Sequence, residues 1–78
     1  MIKLPTGLVY KDSVQFYSYT FPPEVFYAIL TLPVGAVFYS THRRVERLAK
    51  SFKIGDVSYP LEDVHNIIKA HKASKILA

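Results

Sequence analysis

Residues 40–52 read STHRRVERLAKSF. Set on a helix, Val45, Leu48, Ala49 and Phe52 recur at i, i+3, i+4 and i+7, which makes one apolar stripe. Arg43, Arg47 and Lys50 then share the opposite face, with Arg44 and Ser51 on its flank. Ser40 or Thr41 can cap the first turn. The spacing predicts a helix over residues 41–52 that packs on a small core and offers a cationic ridge to an acidic partner. The plainer reading of the same pattern is a solvated surface helix that happens to be basic.

On the N-terminal side, residues 24–32 (EVFYAILTL) follow two prolines and begin with Glu24, a first-turn acid that suits the helix dipole. This segment is apolar nearly all round, so it is expected to be a helix central to the core or in a dimer interface. Pro33 stops it, because the residue before a proline avoids the α region. Residues 36–39 read as a short strand or as an early turn of the next helix. Further upstream, residues 7–21 are rich in β-formers around a turn-like Lys11-Asp12-Ser13. They predict a hairpin, or one strand after an extended arm, in which Val14, Phe16, Ser18 and Thr20 share a face. Their tyrosines read as core and interface residues, with base stacking as the other use open to them.

On the C-terminal side, Gly55-Asp56 is a turn signal between short β-prone pieces, the size of a small wing hairpin over residues 53–59. Pro60 opens another helix with Glu62 and Asp63 in its first turn. Leu61, Val64, Ile67, Ile68 and His71 make its apolar side, and Lys69, Lys72 and Lys75 fall toward its C-terminus, where cations are favoured. No internal repeat or low-complexity tract is visible.

The chain has 78 residues, enough for one domain with one small core. Residues 1–6 and 74–78 are candidates for disorder. There is no Cys, so there is no disulfide framework and no thiolate metal site, in keeping with a reducing, cytoplasmic location. The first residues, MIKLPTGLVYKD, do not form a signal peptide. The longest apolar run, residues 25–39, is 15 residues, with Thr31, Pro33 and Gly35 inside it. A membrane span needs about 20, so no membrane partner is expected. Net charge is +4. Lys3 and Lys11 balance Asp12 and Glu24 in residues 1–41, so residues 42–78 carry all of the excess. A basic half on a neutral, aromatic half suggests a nucleic-acid face on a packed scaffold.

Residues 40–48 (STHRRVERL) and, more closely, 52–64 (FKIGDVSYPLEDV) resemble the winged helix-turn-helix DNA-binding domains of the excisionase and MerR-like type. Together they cover about a third of the chain. The longer apolar connection at residues 33–39, the acidic wing tip at Asp56 and the aromatic N-terminal hairpin depart from that pattern. The resemblance implies an α+β winged helix-turn-helix with about three helices, an N-terminal β-hairpin or strand and a short wing. It implies sequence-specific binding of double-stranded DNA by a transcription regulator or an excisionase-like factor, with viral and plasmid roles open. The recognition helix would lie in the major groove with Thr41, His42, Arg43, Arg44 and Arg47 facing it. Lys50, Lys53 and the backbone amides of the Gly55 turn would reach phosphates. One short monomer reads few base pairs, so a homodimer or a cooperative array is expected.

Catalytic chemistry is not visible. His65 and His71 are six apart, about 240° around a helix, and make poor co-ligands. Glu62 and Asp63 are adjacent and point apart. There is no P-loop or nucleophile motif, so no enzyme activity, small-molecule substrate, cofactor or metal is expected. Two other readings compete. A protein-interaction module, host-directed or for assembly, would use the aromatic N-terminal half. A ribbon-helix-helix dimer would read DNA through residues 14–20, but leaves residues 53–78 without a role.

Overall fold

The computed structural model describes residues 1–77. Its elements run β1 (Ile2–Leu4), β2 (Gly7–Val9), β3 (Val14–Phe16), β4 (Tyr19–Phe21), α1 (Glu24–Thr31), β5 (Val37–Ser40), β6 (Arg43–Arg47), β7 (Ser51–Ile54), β8 (Val57–Pro60) and α2 (Leu61–Leu77). The strands form two antiparallel sheets, each a four-stranded meander in chain order, and each meander is followed by a helix. The architecture is α+β with two helices and eight strands. It is not a winged helix-turn-helix with about three helices, and the expectation drawn from the resemblance is overturned.

The decisive difference lies in residues 41–52. No helix forms there. Thr41 and His42 are a two-residue turn, β6 and β7 are strands, and residues 48–50 join them. Both turn residues have positive φ, 52° and 63°, the pattern of a type I′ hairpin, although neither is Gly or Asn. Arg, Glu, Leu, Ala and Lys are all good helix formers, so local preference points one way and burial the other. Burial decides. Val45 pairs with Phe38 on one side and Ile54 on the other, and both Val45 and Ile54 are buried. Phe52, buried, lies between Arg47 and Tyr59. The expected helical stripe does not survive: Ala49 is exposed and Leu48 half-buried. β-structure is won by cross-strand packing, not by intrinsic propensity.

The first meander also departs from expectation. Residues 2–4, expected to be without structure, form its end strand and pair with β2. The run 14–21 is not one strand. It folds back at Tyr17-Ser18, so Phe16 pairs with Tyr19 and Val14 with Phe21. The buried face is therefore Val14, Phe16 and Phe21, with Tyr19 half-buried and Thr20 exposed.

Both remaining helices stand where proline and first-turn acids indicate. α1 begins after Pro22-Pro23 and ends at Thr31, one residue before Leu32, whose N–H donates to Ala28 O. α2 begins after Pro60 and continues through residues expected to fray; residue 78 lies outside the described residues. α1 buries Val25, Phe26 and Ile29, while α2 buries Val64, Ile67, Ile68 and Ala70. These side chains join Val9, Val14, Phe16, Phe21, Val45, Phe52 and Ile54 in one cluster. Phe16 is its hub, with ring centroids 6.0 Å from Phe26, 5.7 Å from Phe52 and 4.8 Å from Tyr59. Among the described residues, no helix is long and apolar enough to cross a membrane.

The order meander–helix occurs twice, which the sequence reading did not detect. Val64 lies 38 positions after Phe26, and Ile67, Ile54, Phe52 and Tyr59 stand at the same offset from Ile29, Phe16, Val14 and Phe21. All but the half-buried Tyr59 are buried. Pro22 and Glu24 have Pro60 and Glu62 as their counterparts. The repetition lies in where side chains are buried and where the chain turns; of the pairs named, Ile29/Ile67, Pro22/Pro60 and Glu24/Glu62 also share a residue type.

Candidate nucleic-acid interface

The second meander has one face on the core and one open to solvent. Side chains alternate across a strand, so the open face is set by Val37 and Tyr39 on β5, Arg44 and Glu46 on β6, Lys53 on β7 and Ser58 on β8. The pairing brings these into rows: Val37 beside Glu46, then Lys53, then Ser58, with Tyr39 beside Arg44 in the next row. Tyr39 is 72% exposed. In an antiparallel meander alternate turns share an end, so the β5–β6 turn (Thr41, His42) and the β7–β8 turn (Gly55, Asp56) lie together, and residues 48–50 lie at the other end.

This geometry divides the residues singled out in the sequence. Thr41, His42, Arg43 and Arg44 are exposed at the tip of the β5–β6 ribbon. The Arg43 guanidinium sits 5.2 Å from the centre of the Tyr19 ring, a cation–π contact that joins the tip to β4. A small cavity of about 130 Å³ lies beside this contact, lined by Ser18, Tyr19, Thr20, Phe21, Thr41 and Arg43. Arg44 donates to the Glu46 carboxylate at 3.0 Å. Glu46 also stands directly across from Lys53, so one carboxylate faces two cations. An exposed pair of this kind contributes about 0–1 kcal/mol.

Three expected contacts drop out of this set. Arg47 is half-buried, and its guanidinium donates to the carbonyls of Leu48 and Ala49, clasping the β6–β7 loop. Its Nε is buried with no partner among the described residues. Arg47 thus holds the β6–β7 loop. Lys50 lies in that same loop, at the far end of the sheet. The Gly55 amide is already engaged, donating to Arg44 O at 2.9 Å, so it is not free for phosphate. Thr41, His42, Arg43, Arg44 and Lys53 remain together. Tyr39 joins them; the alternation of Val37 and Tyr39 against Phe38 and Ser40 was the sequence signal for it.

Elsewhere the titratable groups serve the fold. His71, on the apolar side of α2, is buried. Its Nε2 is 2.8 Å from Lys11 O, which can only accept, so Nε2 carries the hydrogen. Nδ1 then accepts from the Tyr27 hydroxyl at 2.9 Å. One imidazole joins α2, α1 and the β2–β3 loop. Among the described residues, no group of three or more His, Asp or Glu side chains could hold a metal ion. A shallow hollow of about 530 Å³ opens on the first meander between Leu4, Leu8, Tyr10 and Tyr17, with Lys3 as the charged side chain of its lining. No family model, characterised relative or solved structure matches this chain.

Proposed function

We propose that the chain binds double-stranded DNA through the tip and open face of the β5–β6 ribbon. The observation that carries this reading is the placement of His42, Arg43 and Arg44 at the exposed end of a two-stranded ribbon, with Tyr39 alongside. The B-DNA major groove, about 12 Å wide, admits such a ribbon as well as it admits a helix. The groove element is a strand pair where the sequence pointed to a helix. Arg44 exchanges Glu46 for a phosphate or a guanine edge, His42 and Arg43 meet the backbone on either side, and Tyr39 supplies apolar contact. Lys53, one strand over, reaches phosphate.

The test is fluorescence anisotropy with a labelled duplex at two salt concentrations. Native protein is expected to bind with an affinity that falls steeply as salt rises. Arg43→Ala with Arg44→Ala should lower the slope of log affinity against log salt by about two. Lys50→Ala, at the other end of the sheet, should leave both affinity and slope unchanged. Equal binding by the double variant and the native chain would overturn the reading.

A further inference from the structure

Four strands lie at the ends of the two sheets, and each end offers unpaired main-chain groups to any extended segment that meets it. Three are blunted. β1 carries the exposed Lys3 at its centre. β4 leans on the β5–β6 tip through Tyr19 and Arg43 and runs into Pro22-Pro23. β8 starts beside Asp56, ends in Pro60 and touches α2. β5 has none of these protections. Its sequence is Val-Phe-Tyr-Ser, with no charge and no proline, and Val37 and Tyr39 are 42% and 72% exposed.

The register fixes which groups of β5 are free. The two-residue turn makes Ser40 and Arg43 a hydrogen-bonded pair, and the alternation then assigns Phe38 with Val45 to the next. Two further contacts agree with this. Arg47 N–H donates to Ala36 O, and Arg44 O accepts from Gly55 on the β7 side. The N–H and C=O groups of Val37 and Tyr39 therefore point out of the sheet.

We infer that β5 is the docking edge for a second copy of this chain, which pairs antiparallel with it about a two-fold axis at Phe38. Only this register uses all four free groups. Val37 exchanges two hydrogen bonds with Tyr39 of the second copy, and Tyr39 does the same with Val37 of the second copy. Centring on Val37 would require Gly35, whose N–H is committed to Arg47 O, and centring on Tyr39 would require the Thr41 turn. Charge agrees with self-pairing. Each chain carries +4, so an interface between copies must keep cations apart. Here the basic tip of each ribbon lies beside the uncharged Pro33-Val34-Gly35 turn of the other. The result is one continuous eight-stranded sheet with two ribbon tips. The contact is small, so association is weak and depends on concentration. It does not rest on the nucleic-acid reading.

Sedimentation velocity of the full chain, with no nucleic acid present, tests this from micromolar to near-millimolar concentration. The native chain should move from monomer to dimer across that range. Tyr39→Lys and Val37→Lys should stay monomeric with unchanged circular dichroism, while Val57→Lys, exposed on β8, should dimerise like the native chain. Register is read separately, since the chain has no Cys. In a mixture of Val37→Cys and Tyr39→Cys chains, the mixed disulfide should form faster than either like-with-like product. A native chain that stays monomeric throughout overturns the inference, as does loss of the dimer in Val57→Lys alone. Equal rates of all three disulfides would overturn the register.

Discussion

Where the second meander holds Val45, the first holds Gly7, and the two lie 38 positions apart. Each pairs with the equivalent residue of the next strand, Ile54 for Val45 and Phe16 for Gly7. In the second unit the position carries a buried side chain. In the first there is no room for one: a Cβ on Gly7 would lie 1.9 Å from Gln15 O, and its φ of 153° suits glycine. The turns differ in the opposite sense. Gly55 takes the left-handed φ of 61°, and at the same place in the first unit Tyr17 takes 53°. A tyrosine there is strained. It is held by its N–H donating to Thr6 O at 2.7 Å and by stacking on Tyr59, 5.4 Å between ring centres. The repeated layout constrains where apolar side chains go. Which residue type supplies each one depends on what the other unit presses against it.

That comparison breaks most sharply at Gly7. Gly7→Ala should destabilise the chain by about 3 kcal/mol or more, seen as a large drop in the urea midpoint. Val45→Ala, which removes atoms from the matching position, should cost less, about 1–2 kcal/mol. An unchanged midpoint for Gly7→Ala would mean that β2 and β3 do not approach so closely.

The helices offer the next contrast. α1 ends before the position that corresponds to His71; Pro33 stands there. The extra turns of α2 carry that imidazole to Tyr27 and Lys11. His71→Ala leaves a half-buried hydroxyl and a carbonyl without their partner and a gap on α2, and should lower stability by about 2 kcal/mol in thermal unfolding. Tyr27→Phe, which removes one of the two bonds, should cost about 1 kcal/mol.

The smallest effect is on pH dependence. Burial, and then the neighbouring Tyr19 and Tyr17, hold the Tyr59 hydroxyl above the ordinary tyrosine value. Folding therefore favours the neutral phenol. That contribution is complete below pH about 10, the unfolded value, and is lost as pH rises through the higher folded value. Tyr59→Phe should flatten the alkaline limb of stability between pH 9 and pH 11, measured by denaturant unfolding, and leave the neutral region nearly level. Its counterpart Phe21 has no hydroxyl and offers no such dependence.

Both helices and one turn were legible in the sequence, the two-sheet architecture was not, and the failures share a cause. Pro22-Pro23-Glu24 and Pro60 with Glu62 and Asp63 marked both helices, because prolines and acids act on the first turn with no help from distant residues. Gly55-Asp56 marked its turn for the same reason. The Thr41-His42 and Tyr17-Ser18 turns lacked Gly and Asn, so nothing local announced them. Without a visible turn, the helix-favouring composition of residues 43–50 produced a helical stripe from residues that pack across strands. The candidate interface suffered accordingly. Its basic residues were identified, but Arg47 and Lys50 were grouped with them by a periodicity that the strands do not have.

α2 packs against β1 and β2 and, through His71, grips the loop that follows them. The helix that follows the second meander is thus the cover for the first meander. Without α2, β1 and β2 keep their sheet partners but have no lid, and their apolar residues face water. Removal of α2 would therefore uncover strands far upstream in sequence, a long-range dependence of the kind that slows folding.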